Sequence, residues 1–291
     1  CKKMSCTANT KAGTICKNKS KDGGLCHIHI KNAINTIKIE EVKESTNKSE
    51  ITFKKFPIDP KYFNMEPVFQ NIEGTLALFK GKFTEEKMCT SAYNSIKDLL
   101  IVNPPIGSIA GPAKQNRSVG FTSDFSKGYN YGNQMMPAIK LSNENRILIE
   151  YVNKLLGSNY NAILWNRYSP KTDYLSAHAD NEDALGNTGV FSITLWLDAE
   201  PDTSKPFRIR NKPLDKDKAN FKRFTYKQTF GFSDNTIKEF HGNEIIADVE
   251  LKHVDTCLMA GEFQRALLHE VPKRLKVTYT RVSATFRTHL V

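Results

Sequence analysis

Near the end of the chain runs Arg281-Val-Ser-Ala-Thr-Phe-Arg287, inside an apolar, alternating segment that extends from Val277 to Phe286. Runs of this length and pattern read as strands, so one strand carries both arginines. Working upstream, similar short segments recur between polar turns: Thr256 to Met259, Ile245 to Val249, Thr229 to Phe232, Phe207 to Ile209, Val190 to Leu197 and Ala162 to Trp165. Before Gly157 the period changes to that of helices. Thr84 is a candidate N-cap, followed by Glu85 and Glu86, with Met88, Ala92, Ile96 and Leu99 at helical spacing. A second helix is expected from the Ser142 cap through Ile147, Tyr151, Val152 and Leu155 to a stop at Gly157. Two helices followed by about eight strands predict an α+β chain, in which N-terminal helices buttress a double-stranded β-helix, or jelly-roll, core. In such a fold, ligands far apart in sequence meet at the mouth.

Two further segments give that strand a chemical context. His178-Ala-Asp180 lies upstream and a single His269 stands in His269-Glu-Val-Pro. Two imidazoles and one carboxylate on one face of a metal leave positions open for substrate and oxygen, the arrangement of non-haem ferrous oxygenases. Paired arginines then suit a dicarboxylate beside the metal, because a planar guanidinium meets a carboxylate bidentately. No phosphate-cradling glycine loop is present; Gly128-Tyr-Asn-Tyr-Gly132 does not lead into a helix.

With 291 residues, 39% of them hydrophobic and 25% charged, the chain is long enough for one large domain plus an appendage. No run approaches the ~20 apolar residues of a membrane span, and the lysine-rich start lacks the apolar centre of a signal peptide. An intracellular protein of nucleus or cytoplasm, monomeric and without a membrane partner, is the expectation. The 42 basic residues exceed the 31 acidic ones by 11, a balance that favours a polyanionic partner or reflects a general lysine bias.

Cys1, Cys6, Cys16 and Cys26 crowd the start of the chain, while Cys89 and Cys257 stand alone, so the main domain has no disulfide framework. Cys6, Cys16, Cys26 and His29 have the ligand types and number of a closed zinc site, with Cys1 and His27 as alternatives for one ligand. A stretch so poor in large apolar side chains builds no core of its own, so either a metal folds it or it stays without structure. We therefore expect a zinc module of three cysteines and one histidine over 1–32, a polar linker over 33–52 and a main domain over 53–291.

From about Leu76 onward four ordered features resemble the AlkB-like dioxygenases. Asn161-Ala-Ile-Leu-Trp-Asn166-Arg-Tyr168 resembles the strand before that family's metal motif, and His178-Ala-Asp180-Asn-Glu182 resembles its HxDxE. Met259-Ala-Gly-Glu-Phe-Gln followed by His269-Glu-Val-Pro resembles the second-histidine segment, and Arg281–Arg287 resembles the closing RxNxTFR. The resemblance implies an enzyme dependent on ferrous iron, 2-oxoglutarate and O2, acting on alkylated DNA or RNA. It implies iron held by His178, Asp180 and His269, with Arg281 and Tyr168 on the distal carboxylate of 2-oxoglutarate and Arg287 and Asn166 near the chelating one. Ser283 departs from the family's asparagine, so one hydrogen bond to the cosubstrate is lost or bridged by water.

The same resemblance implies a nucleotide-recognition lid at about 112–136, ahead of a core at about 160–291. It places Arg117, Tyr129 and Tyr131 in that lid, with Tyr131 as the stacking face opposite His178 and Glu182 as acceptor for an exocyclic amine. Ordinary loop packing is the other reading of these tyrosines. From Arg208 to Lys227 eight basic residues stand against two aspartates, either a solvated insertion or a phosphate-contacting edge. Two rivals share the same residues: an oxygenase acting on protein or a small molecule, and a catalytically silent nucleic-acid-binding module.

Overall fold

The computed structural model describes residues 64–106, 113–131, 134–180, 189–197, 205–214 and 226–290. Cys6, Cys16, Cys26 and His29, the linker, Glu182 and the side chain of Tyr131 lie outside the described residues. The chain opens with a hairpin of β1 (Glu66–Asn71) and β2 (Leu76–Lys82), then α1 (Glu86–Asn94) and three short strands, β3 (Ile101–Val102), β4 (Pro105–Ile106) and β5 (Ala113–Lys114). β6 (Ser118–Ser123), β7 (Gly128–Tyr131) and β8 (Gln134–Ile139) lead to α2 (Asn143–Leu156). The remainder is almost wholly β: β9 (Ala162–Tyr168), β10 (Leu175–His178), β11 (Val190–Trp196), β12 (Phe207–Asn211), β13 (Lys227–Phe232), β14 (Ile237–His241), β15 (Ile245–Val249) and β16 (Asp255–Gly261). A one-turn helix α3 (Phe263–Ala266), then β17 (Leu267–Val271) and β18 (Arg281–Arg287), complete it.

The large sheet runs β14-β13-β1-β2-β16-β11-β18-β9-β6-β8-β7, with β3 beside β6, and a second sheet of four strands runs β10-β17-β12-β15. Phe69, Leu78, Met259 and Cys257 of the large sheet share one apolar cluster with Phe207, Ile209, Ile246 and Leu267 of the small one. On the other face of the large sheet, Leu148, Val152 and Leu156 of α2 and Ala92 and Tyr93 of α1 cover Ile163, Trp165, Phe191, Ala284 and Phe286. This mostly β core with helices on one face is consistent with a jelly roll. Among the described residues no helix is long and apolar enough to cross a membrane.

Period-two alternation explains why every residue of β18 is buried. Val282, Ala284 and Phe286 enter the helix-covered layer, so Arg281, Ser283, Thr285 and Arg287 face the space between the sheets. Partners on each side fix the register: Ser283 pairs with Asn166 of β9 and with Thr194 of β11. Asn145, fully buried on α2, donates to the Ala92 carbonyl and accepts from Trp165 Nε1, which ties both helices to β9.

The second helix matches expectation at its ends. The Ser142 side chain accepts from the Asn145 N–H, and Gly157 takes φ of 62°, the left-handed geometry that favours glycine at a helix stop. Its buried face, however, is Leu148, Ile149, Val152 and Leu156, and Ile147 is exposed. The first helix begins one turn position later than expected: Glu85 rather than Thr84 precedes it, without a side-chain cap, and it ends at Asn94. Leu99 belongs to a separate short 3-10 turn and is exposed. β18 begins at Arg281, because Val277–Thr280 supplies Val277 and Tyr279 to a small cluster around Trp196 instead of pairing.

Candidate active site between the sheets

Backbone pairing brings the expected metal ligands together. β10 and β17 are antiparallel, with His178 opposite His269, and Ile209 of β12 flanks His269 on the other side. The two imidazole rings lie 4.2 Å apart between centroids. Asp180, just past the end of β10, is 4% exposed, and its backbone N–H is held by Gln264 Oε1 at 2.9 Å. One ligand atom from each of His178, Asp180 and His269 falls within 4.8 Å of the others.

The protonation of these groups suits a cation. His178 Nδ1 lies 2.9 Å from the Ser176 carbonyl oxygen. A carbonyl only accepts, so Nδ1 carries the proton and Nε2 presents a lone pair. Burial, with the field of His178, pushes the His269 imidazole down to about 3, which keeps it neutral. Burial acts to raise the Asp180 carboxyl, but the Arg287 guanidinium beside it outweighs that effect and holds it well below the usual carboxylate range. Arg287 Nη2 occupies Asp180 Oδ2 at 2.8 Å, whereas buried Oδ1 has no hydrogen-bond partner. Two imidazole nitrogens and one ionised oxygen therefore converge, a donor set that fits a divalent transition metal such as ferrous iron.

Beside these ligands a narrow cleft is lined by Arg117, Asn166, Tyr168, Arg281, Ser283 and Arg287, together with the three ligand residues. Arg281 is 3% exposed and, among the described residues, has no carboxylate partner. Its contacts are the Lys205 carbonyl, at 3.4 Å from Nη1, and the Tyr168 ring, 5.9 Å from the guanidinium carbon. A buried guanidinium without a counter-charge is costly, and here it opens onto a cleft beside a metal-ligand set. A larger groove of about 730 Å³, lined by Glu66, Lys80, Lys82 and Glu86 among others, gathers no imidazole or guanidinium. The chemistry therefore belongs to the narrower cleft.

The lid residues divide. Tyr129 is 2% exposed, stacks on Phe121 at 5.4 Å, and its phenol oxygen accepts from Arg287 Nη1 at 3.0 Å. Both its ring and its hydroxyl are engaged inside, so it supports Arg287 instead of offering an open face to a base. Arg117 is 3% exposed and donates from Nε to Asn166 Oδ1 at 2.8 Å, in the wall of the cleft. Tyr131 ends β7. Arg208 and Arg210, at the start of the basic stretch, pair with Asp248 and Glu270 across the small sheet, which argues against a phosphate role for these two.

Two contributors escaped the sequence reading. Gln264 was legible only as part of a motif, although it anchors the Asp180 backbone. Lys205 is fully buried; its Nζ donates to the carbonyls of Ser169 and Asp173, and its own carbonyl meets Arg281. Burial pushes this amine down to about 8. A lone lysine before β12 carries no pattern that announces such a role.

No family model matches this chain. It is 31% identical over 142 residues to DNA oxidative demethylase ALKBH2 of Arabidopsis thaliana, a match that covers 48% of this chain and 41% of that relative. The crystal structure of a Pseudomonas putida prolyl-4-hydroxylase aligns over 74% of this chain and 92% of its own, with a TM-score of 0.39 and 11% identity.

Proposed function

We propose that this chain is a ferrous iron- and 2-oxoglutarate-dependent dioxygenase that removes alkyl groups from nucleic-acid bases. The observation that carries the reading is Arg281, a buried guanidinium without a carboxylate partner among the described residues, facing the same cleft as the three converging ligand atoms. A small dicarboxylate chelating a metal at His178, Asp180 and His269 would offset the charge of that arginine. The choice of nucleic acid is supported by the partial relative, named a DNA oxidative demethylase, and by the formal charge of +11.

In this reading ferrous iron, held by His178, Asp180 and His269, would supply the oxygen chemistry that couples conversion of 2-oxoglutarate and O2 to succinate and CO2 with hydroxylation of the N-linked carbon. The N-hydroxymethyl product then breaks its carbon–nitrogen bond, releasing formaldehyde and restoring the N–H. The chain's own work is positional. Arg281 with Tyr168 receives the distal carboxylate, Arg287 steadies Asp180, and the apolar wall of Leu164, Phe207 and Met259 excludes water. Glu182 and Tyr131 remain the proposed base contacts, and Cys6, Cys16, Cys26 and His29 a proposed zinc tether on the 1–32 segment.

The test incubates the protein with ferrous iron, 2-oxoglutarate, ascorbate and oligonucleotides carrying 1-methyladenine or 3-methylcytosine, following base mass and succinate together. Loss of one methyl mass with matching succinate supports the proposal. Succinate without base repair moves the substrate to protein or a small molecule, and neither product in iron-loaded protein leaves a binding module.

A further inference from the structure

Arg117 immediately precedes β6 and lies in the cleft wall, 3% exposed. Its Nε sits 2.8 Å from Asn166 Oδ1. Because an arginine Nε–H can only donate, the atom facing it must be the amide oxygen, which removes the usual ambiguity in orienting an asparagine. A carboxamide is planar, with oxygen and nitrogen on opposite branches. With Oδ1 held by Arg117, the two hydrogens of Nδ2 are turned away from it, and among the described residues nothing accepts from Nδ2.

Asn166 is also the only carboxamide among the residues described as lining the cleft. Across the β9–β18 pairing its opposite number is Ser283, whose hydroxyl is too short to replace an amide. At this position on the wall, between the arginines, the polarity of the Asn166 side chain thus decides whether an anion meets an N–H donor or a repelling carbonyl. An amide without an external constraint can turn over by half a rotation about its last bond.

We infer that Arg117 is a positioning residue, which locks the Asn166 amide with its donor end toward the 2-oxoglutarate carboxylates; this rests on the dioxygenase reading above. Arg117 acts through Asn166, and its charge is secondary to the direction of one N–H. The geometry offers a clean separation of the two. A glutamine at 117 carries an N–H donor at the position of the arginine Nε without the charge, whereas methionine has the same length and no donor.

The experiment titrates 2-oxoglutarate into the full chain loaded with Mn(II), by calorimetry, for wild type, R117M, R117Q, N166A and the double variant R117M/N166A. Loss of one hydrogen bond to a charged ligand corresponds to a weakening of roughly 10- to 100-fold. R117M and N166A should each weaken binding on that scale, the double variant should be no weaker than N166A, and R117Q should recover most of the affinity. Mn(II) affinity without 2-oxoglutarate should be the same in all five proteins, which also reports that each is folded. Equal losses in R117M and R117Q, additive losses in the double variant, or unchanged binding in R117M would each overturn the inference. If wild type binds Mn(II) and no 2-oxoglutarate, the dioxygenase reading itself fails and this inference with it.

Discussion

Arg287 Nη2 and Asp180 Oδ2 lie 2.8 Å apart, both buried, and this pair joins the anion side of the cleft to its metal side. Arg287 is held from behind by the Tyr129 phenol, while the other Asp180 oxygen is left for a cation. Breaking a buried pair by removing one partner costs about 3–5 kcal/mol, because the remaining charge is stranded. Arg287→Met should lose stability on that scale in urea unfolding and should weaken Mn(II) binding. A loss below about 1 kcal/mol would show that Asp180 does not depend on this contact.

The ligand assignment makes a sharper demand. His178→Ala and Asp180→Ala should each reduce Mn(II) affinity by about 100-fold or more and abolish turnover, since each removes one of three lone pairs with no described substitute nearby. His241→Ala, outside the cluster, is the control. Metal affinity retained in His178→Ala would refute the site.

Lys205 should leave a signature in the pH dependence of stability. Its folded-state value near 8 lies below the ordinary 10.5, so between those values the unfolded chain binds more protons than the folded one. Stability attributable to this group therefore rises as pH climbs from about 8 to about 10.5. At about 1.4 kcal/mol per pH unit, the gain is at most ~3.5 kcal/mol. Lys205→Met should flatten the rise between pH 7 and pH 10 relative to wild type. Parallel curves for the two proteins would mean that the amine is solvated.

Gly128 tests the lid strands. A Cβ there would collide with the Met136 carbonyl oxygen and come within 2.8 Å of Met135 Sδ, and the carbonyl cannot move without parting β7 from β8. Gly128→Ala should cost about 1–3 kcal/mol, as overpacking does. It should also raise the KM for 2-oxoglutarate, because Tyr129 next to it supports Arg287. An unchanged KM with the expected stability loss would uncouple the hairpin from the cleft.

Much of the site was legible because its chemistry demands particular residue types. His178, Asp180, His269, Arg281 and Arg287 have few reasons to occur together in that order, and the structure gathers them around one cleft. β9, β11, β12, β13, β15 and β16 were legible through apolar runs, and α2 through its Ser142 cap and Gly157 stop. β1 to β8, β10, β14 and β17 were not read as strands. β1 and β10 mix polar with apolar residues, and β17 is five residues long and buried on alternate positions only. Such segments become strands because neighbours supply their hydrogen bonds, which no local pattern records.

The sequence by itself determined the donor types, the paired guanidiniums and the alternation that turns Arg281 and Arg287 to one face of β18, since side-chain chemistry and the two-residue period are local properties. Only the tertiary structure decided which of these groups meet and with what partner. It set His178 opposite His269, turned Tyr129 inward to Arg287, put Asn166 under the control of Arg117 and buried Lys205 behind Arg281. Those relations depend on register between strands distant in sequence and on which polar groups burial forces to find partners, and both are settled when the two sheets close on each other.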